Sequence, residues 1–277
     1  MSRAFEFQFA SSRHVPTLKV LRASIDDFRY DRHAHTEYAF GVTLSGRQDF
    51  FSAGAYHRNP PGSVIFFNPE QPHDGESGGE HRLDYVMTYI APGALAPLFA
   101  EAAGDERAQR LISPRTLITD PFLRNAILAL SRLVRSGIGS RIDQEHLLQQ
   151  IATRMVQRAG RYQRTSPSVG RPDALLRRAC DYIRAHLEEE LSLERISAAA
   201  HLSRYHFLRL FRAQFGMTPH QYVISCRIDA ARGALEAGAT PGEAALRYGF
   251  ADHSHFNRRF KRIHGVTPFH YQRCLTH

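Results

Sequence analysis

Tryptophan is absent from these 277 residues, and cysteine occurs only three times, at Cys180, Cys226 and Cys274. An odd number of widely spaced thiols fits no zinc, redox or disulfide spacing, so reduced core thiols are expected. Lysine is almost missing, with Lys19 and Lys261 the only two among 36 Lys+Arg residues. No window holds 18 uninterrupted apolar residues, and the opening MSRAFEFQFASSRH lacks the apolar stretch of a secretory signal. A soluble, cytoplasmic protein is therefore expected. Gly-x-Ser-x-Gly, GxGxxG and a GxxxxGK phosphate loop are missing as well, so no catalytic residue or cofactor is expected.

What is present is 43% apolar residues, ordinary for a globular chain, and a net charge of +9. The charge is uneven. From Leu175 onward there are 15 Lys+Arg against 9 Asp+Glu, whereas the preceding residues hold 21 against 18. A basic C-terminal part points to a polyanionic partner.

The same part contains a repeat. HFLRLFRAQFGMTPHQY, from His206 to Tyr222, aligns without gaps on HFNRRFKRIHGVTPFHY, from His255 to Tyr271, at a shift of 49 residues. Eight of the seventeen positions are identical, including Arg209/Arg258, Gly216/Gly265, Pro219/Pro268 and Tyr222/Tyr271. Two copies are too few for a solenoid. In a basic context they read as two equivalent helices offered to one long partner, for which double-stranded DNA is the candidate.

Residues 1 to about 93 read as β-rich: TLKVLRASI, YAFGVTLSG, QDFFSAG, SVIFFN and DYVMTYI are bounded by turn formers, as in a closed barrel or jelly roll. Helical spacing takes over in FLRNAILALSRLV and again from Arg141 to Gln157, with RSGIGS between them, which predicts an antiparallel hairpin. The expected division is a β-barrel unit over 1–110, a helical hairpin over 111–160, a linker over 161–174 and an all-α unit over 175–277. The fold class is thus α+β and multidomain. In the last unit, a helix over 175–190 precedes two copies of helix, turn and capped second helix. Ser203 and Asp252 cap the second helices, and Gly216 and Gly265 end them.

That arrangement is a helix-turn-helix, whose second helix enters a major groove N-terminus first. Phe207, Phe211, Phe256 and Phe260, with Tyr222 and Tyr271, fall on the apolar face and are expected in the core. Arg204, Tyr205, Arg209 and Arg212 remain available in the first copy, and His253, Ser254, Asn257, Arg258 and Lys261 in the second. Arg209 and Arg258, one turn into their helices, can fork onto guanine. Arg212, Arg259 and Arg262 are expected to attract phosphate.

Residues 175–275, with the signature GFADHSHFNRRFKRIHGVTPFHYQR, resemble the double helix-turn-helix domain of the AraC/XylS transcription regulators. The resemblance implies a seven-helix module with two recognition helices in adjacent major grooves. It also implies base contacts from Arg204, Tyr205, Arg209, His253, Ser254, Asn257 and Arg258. Arg247-Tyr248 departs from the small residues common before the second turn. The stretch HAHTEYAFGVTLSGRQDFFSAGAYHRNPPGSVIFFNPEQPHDG resembles the family's effector-binding barrel, a cupin relative. His33, His35 and His73 fall where metal-binding cupins carry ligands, but Glu37 follows two residues after His35 rather than about four. No metal is therefore expected. The histidines are instead expected to line an effector pocket with Tyr38, Phe40, Asn68 and Tyr85.

The resulting expectation is a sequence-specific, DNA-binding transcription regulator, responsive to a small molecule. Activation is the outcome common in the family, a homodimer through the 121–157 hairpin is expected, and RNA polymerase is a possible partner. The alternatives are a metal-dependent cupin enzyme fused to a DNA-binding module, and an architectural DNA protein with little sequence preference.

Overall fold

A computed structural model describes residues 6–79, 82–106, 108, 110–159 and 174–275. The expected linker over 161–174 lies almost wholly outside them. Among the described residues, ten strands precede and interleave with the first of ten helices.

The strands are β1 (Glu6–Ser11), β2 (Lys19–Ile25), β3 (Arg29–His33), β4 (Tyr38–Ser45) and β5 (Gln48–Ser52), then β6 (Ala55–Asn59), β7 (Val64–Phe67), β8 (His73–Ser77), β9 (Leu83–Ile90) and β10 (Leu117–Ile118). They form two antiparallel sheets, β1-β2-β9-β4-β7-β10 and β3-β8-β5-β6, rather than one closed barrel. The larger sheet is apolar on both faces, which is why its strands read as nearly unbroken apolar runs. Strand alternation sorts the residues. Leu21, Ala23, Ala39, Ile65, Phe67, Tyr85 and Met87 face inward, toward Tyr30 and Phe50 of the smaller sheet. Val20, Tyr38, Phe40, Val42, Phe66 and Val86 face outward, under helices.

Those helices are α1 (Pro92–Ala103), α2 (Pro121–Ser136) and α3 (Arg141–Ala159). The apolar stripes Leu123, Ile127, Leu130 and Val134 of α2, and Leu148, Ile151 and Met155 of α3, are spent on the sheet's outer face. The hairpin is locked by Asp120. One carboxylate oxygen caps α2 by accepting from the Phe122 and Leu123 N–H groups, and the other takes Arg154 and Arg158 of α3 at 2.7 Å each.

The remaining helices are α4 (Ala174–Ala185), α5 (Leu193–Ala199), α6 (Arg204–Phe215), α7 (Pro219–Glu236), α8 (Pro241–Arg247), α9 (His253–His264) and α10 (Pro268–Leu275). The helix expected to reach residue 190 stops at Ala185. The Arg227 side chain, from α7, donates to the Leu187 and Glu189 carbonyls, holding that segment outside the helix. The caps fall where the sequence places them. The hydroxyls of Ser203 and Thr218 accept from His206 N and Gln221 N, and the Asp252 carboxylate from His255 N. Gly216 and Gly265 adopt φ of 63° and 81°.

Two separate cores serve the two helix-turn-helix copies. The first copy packs on its own residues, with Phe207 and Phe211 against Leu176, Cys180, Ile183, Ile196 and Tyr222. The second does not. Phe256, Phe260, Ile263, Val266 and Tyr271 join Phe7, Leu21, Phe28 and Tyr30 in one continuous apolar cluster. Helices α9 and α10 of the C-terminal module thus pack against β3 and β1, the edge strands of the two sheets.

Candidate nucleic-acid interface and effector site

Helix period and capping position the candidate DNA-contacting side chains. In α6, Phe207 and Phe211 are fully buried, which turns Arg204, Tyr205, Arg209 and Arg212 outward; Tyr205 is 80% exposed. In α9, Phe256 and Phe260 are fully buried, and His253, Ser254, Arg258 and Lys261 are exposed. Asn257 is half-buried, with its amide 3.3 Å from His253 Nδ1. Both helices thus leave their N-terminal turns free, the geometry that major-groove reading requires.

Arg259 and Arg262, expected to attract phosphate, reach the sheet sandwich. Arg259 Nη1 lies 3.3 Å and Arg262 Nε 3.8 Å from the Asp31 carboxylate of β3, and Arg262 also donates to the Arg29 carbonyl. At the equivalent positions the first copy carries Leu210 and Ala213, which have no charge to offer. Arg247 ion-pairs with Glu188 at 2.7 Å and lies over the Tyr248 ring, which accounts for the departure at that position.

The histidine expectation also resolves into geometry. His33 ends β3, His73 opens β8 directly opposite, and His35 follows in the β3–β4 connection. Their ring centroids lie 4.5 Å (His33–His73), 5.0 Å (His35–His73) and 6.1 Å (His33–His35) apart, all three rings buried. Tyr89 meets His35 edge-on, and Phe67 stacks on His73. Burial drives the His33 pKa down to about 4, assisted by His35, and lowers those of His35 and His73 too, so all three rings are neutral near pH 7.

Not every residue expected to join the histidines lies beside them. Tyr85 faces the interior of the sandwich, its hydroxyl paired with that of Tyr30. Tyr38 and Phe40 are not, because on β4 they alternate to the outer face. Tyr38 donates to the Leu111 carbonyl and packs on Phe66 and Phe99. Asn68 is a turn lock that binds Gln71 and both backbone groups of Ser113 rather than facing the histidines.

What sequence reading missed is the charged seam beside the histidines. Glu37, noticed as a displaced metal ligand, is the buried partner of Arg232 on α7. Arg232 also reaches Asp229 at 2.7 Å and Glu236 at 3.5 Å, while Glu236 takes Lys19 at 2.6 Å and the Tyr271 hydroxyl at 2.7 Å. Burial alone would raise the Glu37 pKa, but Arg232, His35 and Lys19 hold it down to about 2. The spacing of Asp229, Arg232 and Glu236 on one face of a helix rich in Ala and Ile was the available signal. Among the described residues, no group of three or more His, Cys, Asp or Glu is arranged to hold a metal ion. None of the described helices is long and apolar enough to cross a membrane.

Comparison with known proteins agrees with this architecture. Residues 15–152 match the family described as an AraC-like ligand binding domain, and residues 196–273 match a helix-turn-helix domain. The chain is 27% identical over 227 residues to the uncharacterized HTH-type transcriptional regulator YbfI of Bacillus subtilis, covering 82% of this chain and 81% of that one. It is 37% identical over 89 residues to the HTH-type transcriptional regulator MtrA of Neisseria gonorrhoeae, covering 31% of this chain and 29% of that one. Among solved structures, ToxT from Vibrio cholerae superposes with a TM-score of 0.59 at 16% identity, over 94% of this chain and 100% of that one. ToxT bound to (E)-4-(8-methylnaphthalen-1-yl)but-3-enoic acid gives 0.61 at 15% identity, over 98% and 99%.

A sheet sandwich that matches the ligand-binding family, joined to two capped helix-turn-helix units, defines a two-domain transcription regulator. This chain belongs to the AraC family of such regulators.

Proposed function

We propose that α6 and α9 enter successive major grooves on one side of the duplex and that a small molecule acting at the histidine seam alters how α9 is presented. The carrying observation is the pairing of exposure with burial in both copies. The aromatic faces are sealed, whereas Arg204, Tyr205, Arg209, Arg212, His253, Ser254, Arg258 and Lys261 stay open. Arg209 and Arg258 read bases in this account, each bidentate contact contributing about 1–3 kcal/mol of discrimination. Arg212 and Lys261, at equivalent positions two turns into each helix, supply phosphate attraction that weakens with salt. Selection from a random-sequence DNA pool tests this. Enrichment of a bipartite site whose two elements lie about 10 base pairs apart supports the reading. Enrichment of a single element, or of none, contradicts it.

The effector works on the seam because the second copy shares its core with the sheet sandwich. A ligand that prefers an opened or shifted seam must change how α9 meets DNA, since only differential affinity for two arrangements can move an equilibrium. ToxT bound to a substituted butenoic acid is a neighbour of the same fold under small-molecule occupancy.

A homodimer through α3 completes the proposal. With the stripes of α2 and α3 spent internally, the surface left over is Phe122, Ile138 and Ile142, which are 50%, 87% and 73% exposed. Two grooves of about 410 and 460 Å³ run along α3 and share His146 and Gln149. An Ile142→Asp variant is expected to sediment as a monomer where the parent chain does not. RNA polymerase and the sign of regulation belong to this proposal only as the family's habit.

A further inference from the structure

The histidine cluster has a polarity that points to its ligand. His33 Nδ1 lies 2.7 Å from the Asp31 carbonyl, His35 Nδ1 3.0 Å from the Glu37 carbonyl, and His73 Nδ1 2.9 Å from the Gln71 carbonyl. A carbonyl only accepts, so in each ring the proton sits on Nδ1. Since the rings are neutral, each Nε2 carries a bare lone pair. The same contact recurs three times, each ring returning to a carbonyl two residues away. It fixes both tautomer and ring orientation.

Polar atoms at this seam are also unspent. His35 Nε2, Glu37 Oε2 and His264 Nε2 are all buried and have no hydrogen-bond partner among the described residues. His35 and Glu37 belong to the sheet sandwich, and His264 ends α9 in the DNA-binding module. His264 packs its ring on Phe260 and Tyr271 and lies within electrostatic reach of His33, His35 and Arg232. Unpartnered buried polar atoms therefore lie on both sides of one seam: acceptors at His35 Nε2 and Glu37 Oε2, and a ring nitrogen of His264. Native proteins rarely leave buried polar atoms unpaired, and each such atom is a cost that a matching ligand removes. Of the nearby cations, Arg232 is engaged by Glu37, Asp229 and Glu236, and Lys19 by Glu236, while Arg32, within reach of His73, lies over the Phe51 ring with its Nε unpartnered among the described residues.

We propose that the effector of this chain is a small molecule rich in hydrogen-bond donors, hydroxyl or ammonium, and not a carboxylic acid, bound at the seam by the Nε2 atoms of His33, His35 and His73 with Glu37 Oε2, beside the ring of His264. This rests on the regulatory reading above and names its ligand class. A carboxylate would meet lone pairs with lone pairs. A donor group satisfies them, and one that spans His35 and His264 touches both domains at once. Discrimination follows from the same chemistry, because a site built to bind O–H or N–H groups rejects analogues that lack them.

The experiment uses the full chain labelled with ¹⁵N at histidine. Without ligand, the cluster rings must show unprotonated Nε2 and protonated Nδ1. Xylitol and myo-inositol then supply hydroxyl donors, n-butylammonium supplies ammonium donors, and butyrate and hexanoate serve as acids, with Zn²⁺ as a separate arm. Nε2 resonances that move with either donor class, together with a raised melting temperature, support the proposal, and the responding class tells hydroxyl from ammonium. His35→Phe and His73→Phe are each expected to weaken the responding probe about five- to tenfold, the loss of one hydrogen bond. The proposal is overturned if Nε2 proves protonated in the free protein, if the acids or Zn²⁺ move these resonances and the donors do not, or if no donor probe has an effect. The tautomer measurement needs no variant, so a variant that fails to fold leaves it intact. DNA binding by the parent chain is measured alongside. Its retention while the donors fail removes this inference alone, and its absence removes the regulatory reading beneath it.

Discussion

The two helix-turn-helix copies share eight of seventeen residues, yet they are held in different ways. The first has a private core, and beside it Arg184 of α4 reaches Glu70 of the sandwich at 2.8 Å. The second is fused to the sandwich through a continuous apolar cluster, with Phe9 meeting Tyr271 edge-on at 5.1 Å between ring centroids. Duplication preserved what each helix needs to fold and to face DNA: the caps, the paired phenylalanines, the left-handed glycine. Divergence is concentrated where one copy meets the other domain. Leu210 and Ala213 of the first copy become Arg259 and Arg262 of the second, and those two arginines hold Asp31. One half of the pair thus keeps its own core, and the other shares its core with the neighbouring domain.

The glycine exits break this comparison most sharply. Gly216 and Gly265 both have positive φ, so any Cβ carries a strain of about 1–2 kcal/mol. At Gly216 the added atom meets the Arg32 guanidinium, the far end of a flexible side chain. At Gly265 it overlaps the Phe7 ring in the shared core. Gly265→Ala is therefore expected to cost about 3 kcal/mol or more in urea unfolding, and Gly216→Ala about half of that. Equal losses would mean that the seam is not packed as described.

Acidification is next in size. His33 has its folded pKa lowered to about 4 from an ordinary 6.5, so the unfolded chain binds more protons between those values. The stability contributed by the neutral ring is complete above pH 6.5 and is lost as pH falls toward 4. His35 and His73 are shifted in the same direction. Glu37, held at about 2, adds a second loss as pH falls from about 4.5 toward 2. Between pH 7 and 4 the melting temperature is expected to drop by the equivalent of about 2–3 kcal/mol for His33 alone. A His33→Asn variant should show a shallower slope in that window. An unchanged slope would place the titration elsewhere.

The smallest effect belongs to the surface latch. Asp31→Asn removes the carboxylate shared by Arg259 and Arg262, both partly exposed, so about 0.5–1 kcal/mol is at stake. In ligand-free protein, DNA affinity is expected to rise about two- to fivefold as α9 is released. The corresponding change in the first copy, Glu70→Gln, should leave α6 readout untouched. A fall in affinity with Asp31→Asn would show that the latch positions α9 for DNA rather than restraining it.

Much of this was legible in the sequence because local chemistry dictates it. Ser203, Thr218, Thr240 and Asp252 announce helix starts, and Gly216 and Gly265 announce ends, with no help from tertiary structure. The phenylalanine spacing then decides which face is exposed. The strands were legible only where both faces are buried. β3, β6 and β8 are short and carry polar side chains such as Asp31, His57 and Asp74, so their pattern does not stand out. Tyr38 and Phe40 were misplaced because a strand buried on both faces gives no sign of which face is the pocket. Glu37 and Arg232, 195 residues apart, could be joined only by the fold.

The most direct test is to measure base-by-base specificity for Arg209→Ala and Arg258→Ala on the selected site at constant salt. Each variant is expected to relax discrimination at one distinct position, the two positions lying about one helical turn apart, with about 1–3 kcal/mol lost at each and little change elsewhere. Uniform weakening across all sequences by both variants would show that these arginines contact only the phosphate backbone, and paired groove reading would be contradicted.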